Sequence, residues 1–145
     1  SNKKNFKIIS GLVRSKIKVM GHIGFTPQFK KKFNVEGKTV KSKNKLLEEA
    51  KKIEKAGAFS VVLECISSQA AKEITQHLKI PTIGIGSSSN CDGQILVTDD
   101  LIGLSGFYPK FVKKYCDINK IVSKAVKRYR NDVKKKLFPS QNNSF

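Results

Sequence analysis

The seven residues AFSVVLE, 58 to 64, follow directly on a glycine and form a nearly continuous apolar run, broken only by Ser60 before the terminal Glu64. A run this short, rich in β-branched residues and without alternation, is expected of a strand covered on both faces, which occurs chiefly in parallel sheets. Just before it, KLLEEAKKIEKA (45–56) places Leu46, Leu47, Ala50, Ile53 and Ala56 on one helical face with charges opposite, and Gly57 supplies the stop. A helix feeding a doubly covered strand constrains the chain to an α/β layer arrangement.

The rest of the pattern extends that unit. Phe6, Ile9, Leu12 and Val13 predict a helix over 5–15, and IKVMGHI (17–23) a strand that ends in the loop GFTPQ. SSQAAKEITQHL (67–78) reads as a helix with a capping serine and an Ala71, Ile74, Leu78 stripe, ended by Pro81. TIGIGS and GQILVT read as two further strands, and a last long helix is expected from about Asn119 to Lys136. Polar or glycine-rich groups recur where strands end: Gly21-His22, Glu64, and the turn at Gly84 and Gly86. In a (β/α)8 barrel such positions converge on one mouth. A barrel of that kind needs about 250 residues, so four candidate strands predict half of one. Residues 1–145 are read as a single partial-barrel unit with a flexible tail from about 138 to 145.

With 29 Lys and Arg against 11 Asp and Glu, the net charge of +18 favours anionic partners. The charge is spread over segments of helical period, while residues 80–109 contain no Lys or Arg, so solvated helix faces explain most of it. No run of 18 apolar residues occurs and no secretory signal is apparent, which predicts a soluble, cytoplasmic protein. Cys65, Cys91 and Cys116 stand far apart with no CxxC pair, against a disulfide framework or a zinc site. With only His22 and His77, a metal would need carboxylates.

Among single residues Glu64 is the sharpest. A carboxylate at the end of a buried strand is costly unless paired or functional; it serves either as a chemical group or as a cap or ion-pair partner. By strand parity it shares a face with Ser60 and Val62. His22, between Gly21 and Gly24, sits where backbone can approach a ligand, or is a histidine held in a loop. Gly84-Ile85-Gly86 meets neither the dinucleotide nor the P-loop fingerprint. Asp99-Asp100 suits the positive end of a helix better than a Mg²⁺ site.

Taken together, GHIGFTPQ (21–28), FNVEGK (33–38), AGAFSVVLEC (56–65), IPTIGIG (80–86), CDGQILV (91–97), PKFVKKY (109–115) and FP (138–139) closely resemble the second half of ketopantoate hydroxymethyltransferase, in order and in spacing. The resemblance implies strands 5 to 8 of a (β/α)8 barrel. It implies transfer of a one-carbon unit from 5,10-methylenetetrahydrofolate to 3-methyl-2-oxobutanoate, giving 2-dehydropantoate in pantothenate biosynthesis, with Mg²⁺, in a homo-oligomer that is decameric in the bacterial type. Glu64 would be the general base, and His22, Gly21, Gly84 and Gly86 would lie against substrate. The metal-binding aspartates and a substrate lysine would belong to the first half, so no residue here takes those roles. Against the family pattern, Lys31-Lys32 replace two glycines, Ser67 a proline, and Ser87-Ser88 an Ala-Gly pair. Two other readings are a catalytically inactive fragment or assembly subunit and, from the basic run VKRYRNDVKKK, an RNA-binding protein, although no RNA-binding motif is present.

Overall fold

The structure, a computed structural model, describes residues 3–26 and 34–145. Pro27 and Gln28 of the first motif, Lys31-Lys32 and Phe33 lie outside the described residues. By contact the chain groups into two units, Ser1–Ile95 and Leu96–Phe145.

The first unit alternates helix and strand: α1 (Lys3–Arg14), β1 (Met20–Gly24), α2 (Val40–Lys55), β2 (Ser60–Glu64), α3 (Ser68–His77), β3 (Thr82–Ile85) and β4 (Gly93–Gln94). The strands form one parallel sheet in chain order. The helix α2 starts at a capping box between Thr39 and Ser42 and stops before Gly57, whose φ of +94° suits glycine. Ser67 caps α3 by accepting from the Ala70 N–H, the role its sequence position suggests. The strand expected over 17–23 begins only at Met20. That expected in GQILVT shortens to Gly93–Gln94, with one further bond from Ile95 N–H to the Gly84 carbonyl.

Register divides the sheet into two faces. Val61 lies beside Gly21 and Thr82, and Leu63 beside Ile23 and Gly84. This face packs against α2 and α3, and Ile23, Leu46, Ala50, Ile53, Val61, Leu63, Ala70, Ala71 and Ile74 make one buried cluster. On the other face His22 lies beside Val62 and Ile83, and Gly24 beside Glu64 and Ile85. There Met20 is 47% exposed, His22 is exposed, and Val62, Ile83 and Glu64 are half-buried, although Ser60 and Ile85 are buried. Within the first unit the apolar run of β2 therefore carries one helix-covered face and one face without a helix layer among the described residues.

In the second unit a short helix, α4 (Thr98–Ile102), has Asp99 and Asp100 in its first turn and ends on Gly103 at φ +78°. The two acids sit at the helix's positive end, as their sequence suggests. The long α5 (Ile118–Lys134) is capped by Asp117, which accepts from Lys120 N–H. Ile121, Val122, Val126, Tyr129 and Val133 form an exposed stripe along it.

Candidate active site

Glu64 is the last residue of β2, and His22 precedes the last two of β1. Because the parallel register sets His22 beside Val62 and Gly24 beside Glu64, the two polar side chains share a face and stand one diagonal step apart. They meet: His22 Nε2 lies 2.9 Å from Glu64 Oε2, with side chains 33% and 16% exposed. With its proton on Nε2, the imidazole donates to the carboxylate and offsets part of the cost of burying that charge. Among the described residues Glu64 forms no ion pair with Lys or Arg.

The backbone around Glu64 is held from three sides. Phe25 N–H donates to the Glu64 carbonyl at 2.9 Å. The approach is possible because Gly24, at φ +99°, has no Cβ, which would stand 2.1 Å from that oxygen. Cys65, with φ +52°, donates through its N–H to the Ile85 carbonyl, and its own carbonyl accepts from Glu36 N–H. From the loop after β3, Ser87 Oγ donates to the Leu63 carbonyl at 2.6 Å and accepts from Ile66 N–H at 3.2 Å. Neighbouring Ser88 Oγ accepts from Ser68 Oγ and from both N–H groups of Asn90. Sequence reasoning missed the contribution of Ser87 and Ser88, registering them only as lost small residues; a hydroxyl offers no signal of its partner until the loops are brought together.

The glycines divide differently from expectation. Gly21 and Gly84 lie on the helix-covered face, opposite the one that bears Glu64. A Cβ on Gly21 would stand 2.3 Å from Ile53 Cγ2, and one on Gly84 2.8 Å from Gln94 Oε1, so both have packing reasons to be glycine. Gly86, at φ +62°, opens the turn that delivers Ser87. His22 lines a cleft of about 420 Å³ with Gly24, Thr26, Glu36, Lys45 and Glu49, a volume within the range of small-molecule sites.

Burial, reinforced by the neighbouring Glu64 charge, pushes the Cys65 thiol up to about 11, so near neutral pH it stays protonated and is a poor nucleophile. Among the described residues no three His, Cys, Asp or Glu side chains converge as a metal site would require. His77 is remote in role: its Nδ1 contacts the Glu73 carbonyl of its own helix. Among the described residues no helix is long and apolar enough to cross a membrane.

The model of the ketopantoate hydroxymethyltransferase family matches residues 1–141. Curated 3-methyl-2-oxobutanoate hydroxymethyltransferases align along nearly the whole chain. The Pelagibacter ubique protein is 47% identical over 143 residues, covering 99% of this chain and 56% of its own length. That of Thermotoga maritima is 50% identical over 143 residues, 96% of this chain and 53% of the relative. That of Francisella tularensis subsp. novicida is 50% identical over 145 residues, 97% and 55% respectively. The chain thus spans about half the length of the curated relatives it matches.

Proposed function

The chain belongs to the ketopantoate hydroxymethyltransferase family, and from that premise we propose that it supplies the proton-abstracting part of the reaction for which the family is named. The four parallel strands would be strands 5 to 8 of a (β/α)8 barrel, completed by a first half of similar size. Glu64 would remove the C3 proton of 3-methyl-2-oxobutanoate, and the resulting carbon nucleophile would take the one-carbon unit of 5,10-methylenetetrahydrofolate after water has opened its methylene bridge to a hydroxymethyl equivalent, the carbon–nitrogen bonds breaking to release tetrahydrofolate. The proton passes from C3 to a Glu64 carboxylate oxygen.

The observation that carries this reading is the His22–Glu64 contact of 2.9 Å at the C-terminal ends of adjacent parallel strands, where barrel enzymes place their chemistry. His22 holds one carboxylate oxygen and thereby orients the other. Among the described residues of the first unit no helix covers the face of β2 that bears Glu64, which leaves that side for substrate. Mg²⁺, implied by the resemblance, finds no ligand set among the described residues, and no step is assigned to it. The homo-oligomer is likewise part of the proposal.

With the first four βα units of a relative supplied by co-expression, Glu64→Gln should abolish deuterium exchange at C3 of 3-methyl-2-oxobutanoate, a loss of ~10² to 10⁴ in rate, while substrate still binds. Exchange at the unmodified rate would remove Glu64 from the role of base.

A further inference from the structure

We propose that Ser87 is a positioning residue for Glu64, an inference that rests on the reading of Glu64 as base for its catalytic meaning but not for its geometry. Ser87 Oγ bridges the Leu63 carbonyl at 2.6 Å and the Ile66 N–H at 3.2 Å. These two groups bracket the dipeptide Glu64-Cys65. Within the bracket the chain leaves β2 through Cys65 at φ +52°, a left-handed conformation that a residue with a Cβ adopts only when its surroundings impose it.

The backbone bonds from Cys65 N–H to Ile85 and from Glu36 N–H to Cys65 do not span the bend; each holds one group within it. Ser87 joins the strand before the bend to the turn after it through one atom. Together with the ladder on either side of Glu64, that atom sets the direction of the Glu64 Cα–Cβ bond, and so the reach of the carboxylate to His22. Its own loop is anchored in turn, since Ser88 Oγ accepts from Ser68 Oγ at 3.1 Å and Gln94 Nε2 donates to the Ser88 carbonyl at 2.7 Å. An alanine at 87 lacks the bridging atom.

Two measurements test this. The first uses the chain completed by an unlabelled first half of a relative, with this chain alone isotope-labelled, and the imidazole NMR resonances of His22, with His77 as an internal control. Ser87→Ala should move the His22 resonances in the direction produced by Glu64→Gln and leave those of His77 in place, and Ser87→Thr, which keeps the hydroxyl, should restore them. The second uses the chain completed by co-expression. There Ser87→Ala should lower kcat and C3 exchange about tenfold with KM for the oxo acid unchanged, again restored by threonine. Unmoved His22 resonances, or a threonine variant as impaired as alanine, would overturn the positioning role. If Glu64→Gln keeps wild-type exchange while Ser87→Ala still displaces His22, the base assignment fails and the geometric inference stands.

Discussion

At the scale of single residues, the cysteines and Asp92 give direct checks on the environments described. Cys65 is 1% exposed and its thiol is pushed up to about 11, Cys91 is buried, and Cys116 is exposed. Brief alkylation at pH 8 followed by mass spectrometry should therefore label Cys116 first and Cys65 only after unfolding; early labelling of Cys65 would contradict its packing. Asp92 accepts from the Thr82 N–H at 2.8 Å and from the Thr82 hydroxyl at 2.9 Å. These bonds, the backbone one foremost, hold its carboxyl below the usual range against a smaller opposing effect of burial. A folded value below the unfolded one means that the stabilisation is complete above about pH 4 and is lost as pH falls through the lowered folded value. The melting temperature of Asp92→Asn should therefore lie below that of the unmodified chain at pH 6, with the gap closing towards pH 2. A constant gap would show that the carboxylate charge is not what Thr82 recognises. Glu64 was legible from the sequence because strand periodicity alone sets its face. Its partner was not, since His22 and Glu64 are separated by 42 positions and meet only through the β1–β2 register.

At the scale of elements, the close seating of β1 on α2 depends on Gly21, where a Cβ would stand 2.3 Å from Ile53 Cγ2. Gly21→Ala should cost about 1–3 kcal/mol by overpacking, and Ile53→Ala about 2–5 kcal/mol by leaving a cavity. The double variant should lose less than the sum, because the alanine methyl occupies space the isoleucine vacates. Urea denaturation of the four proteins measures this coupling, and strict additivity would show that the two groups do not compete for one site. A milder loss is expected at the start of α2, where Thr39→Ala removes the capping box for about 1 kcal/mol. Helices were legible because an amphipathic stripe and its caps are local features; α3 and α5 fall close to where their periodicity and flanking residues put them, whereas α2 begins at Val40, five residues before the expected 45, because its capping box at Thr39 lies ahead of the apolar stripe. The strand expected in GQILVT was read too long, since β propensity records side-chain preference and not whether a neighbouring strand runs far enough to pair.

At the scale of the whole chain, the sheet order β1-β2-β3-β4 leaves β1 and β4 as outer strands among the described residues, and the face of Met20, His22, Val62 and Ile83 lacks a helix layer. Strand edges and a partly apolar open face of this kind seek partners. The 145-residue chain by itself should therefore self-associate in a concentration-dependent manner in sedimentation velocity and show no hydroxymethyl transfer, and co-expression with the first half of a relative should remedy both. A sharp monomeric unfolding transition together with turnover by the isolated chain would refute the half-barrel reading. What the sequence by itself determined is the α/β alternation, the parallel direction of the strands, the family, and Glu64 as the residue of greatest interest, since all of these are written in short-range periodicity and in motifs read along the chain. Only the tertiary structure decided that His22 is the partner of Glu64, that Gly21 and Gly84 serve packing on the opposite face, and that Ser87 bridges the bend beneath the carboxylate. Each of these depends on strand register and on loops that approach one another across 21 to 42 positions, and no local pattern of side chains encodes which distant hydroxyl or ring will stand within hydrogen-bond distance.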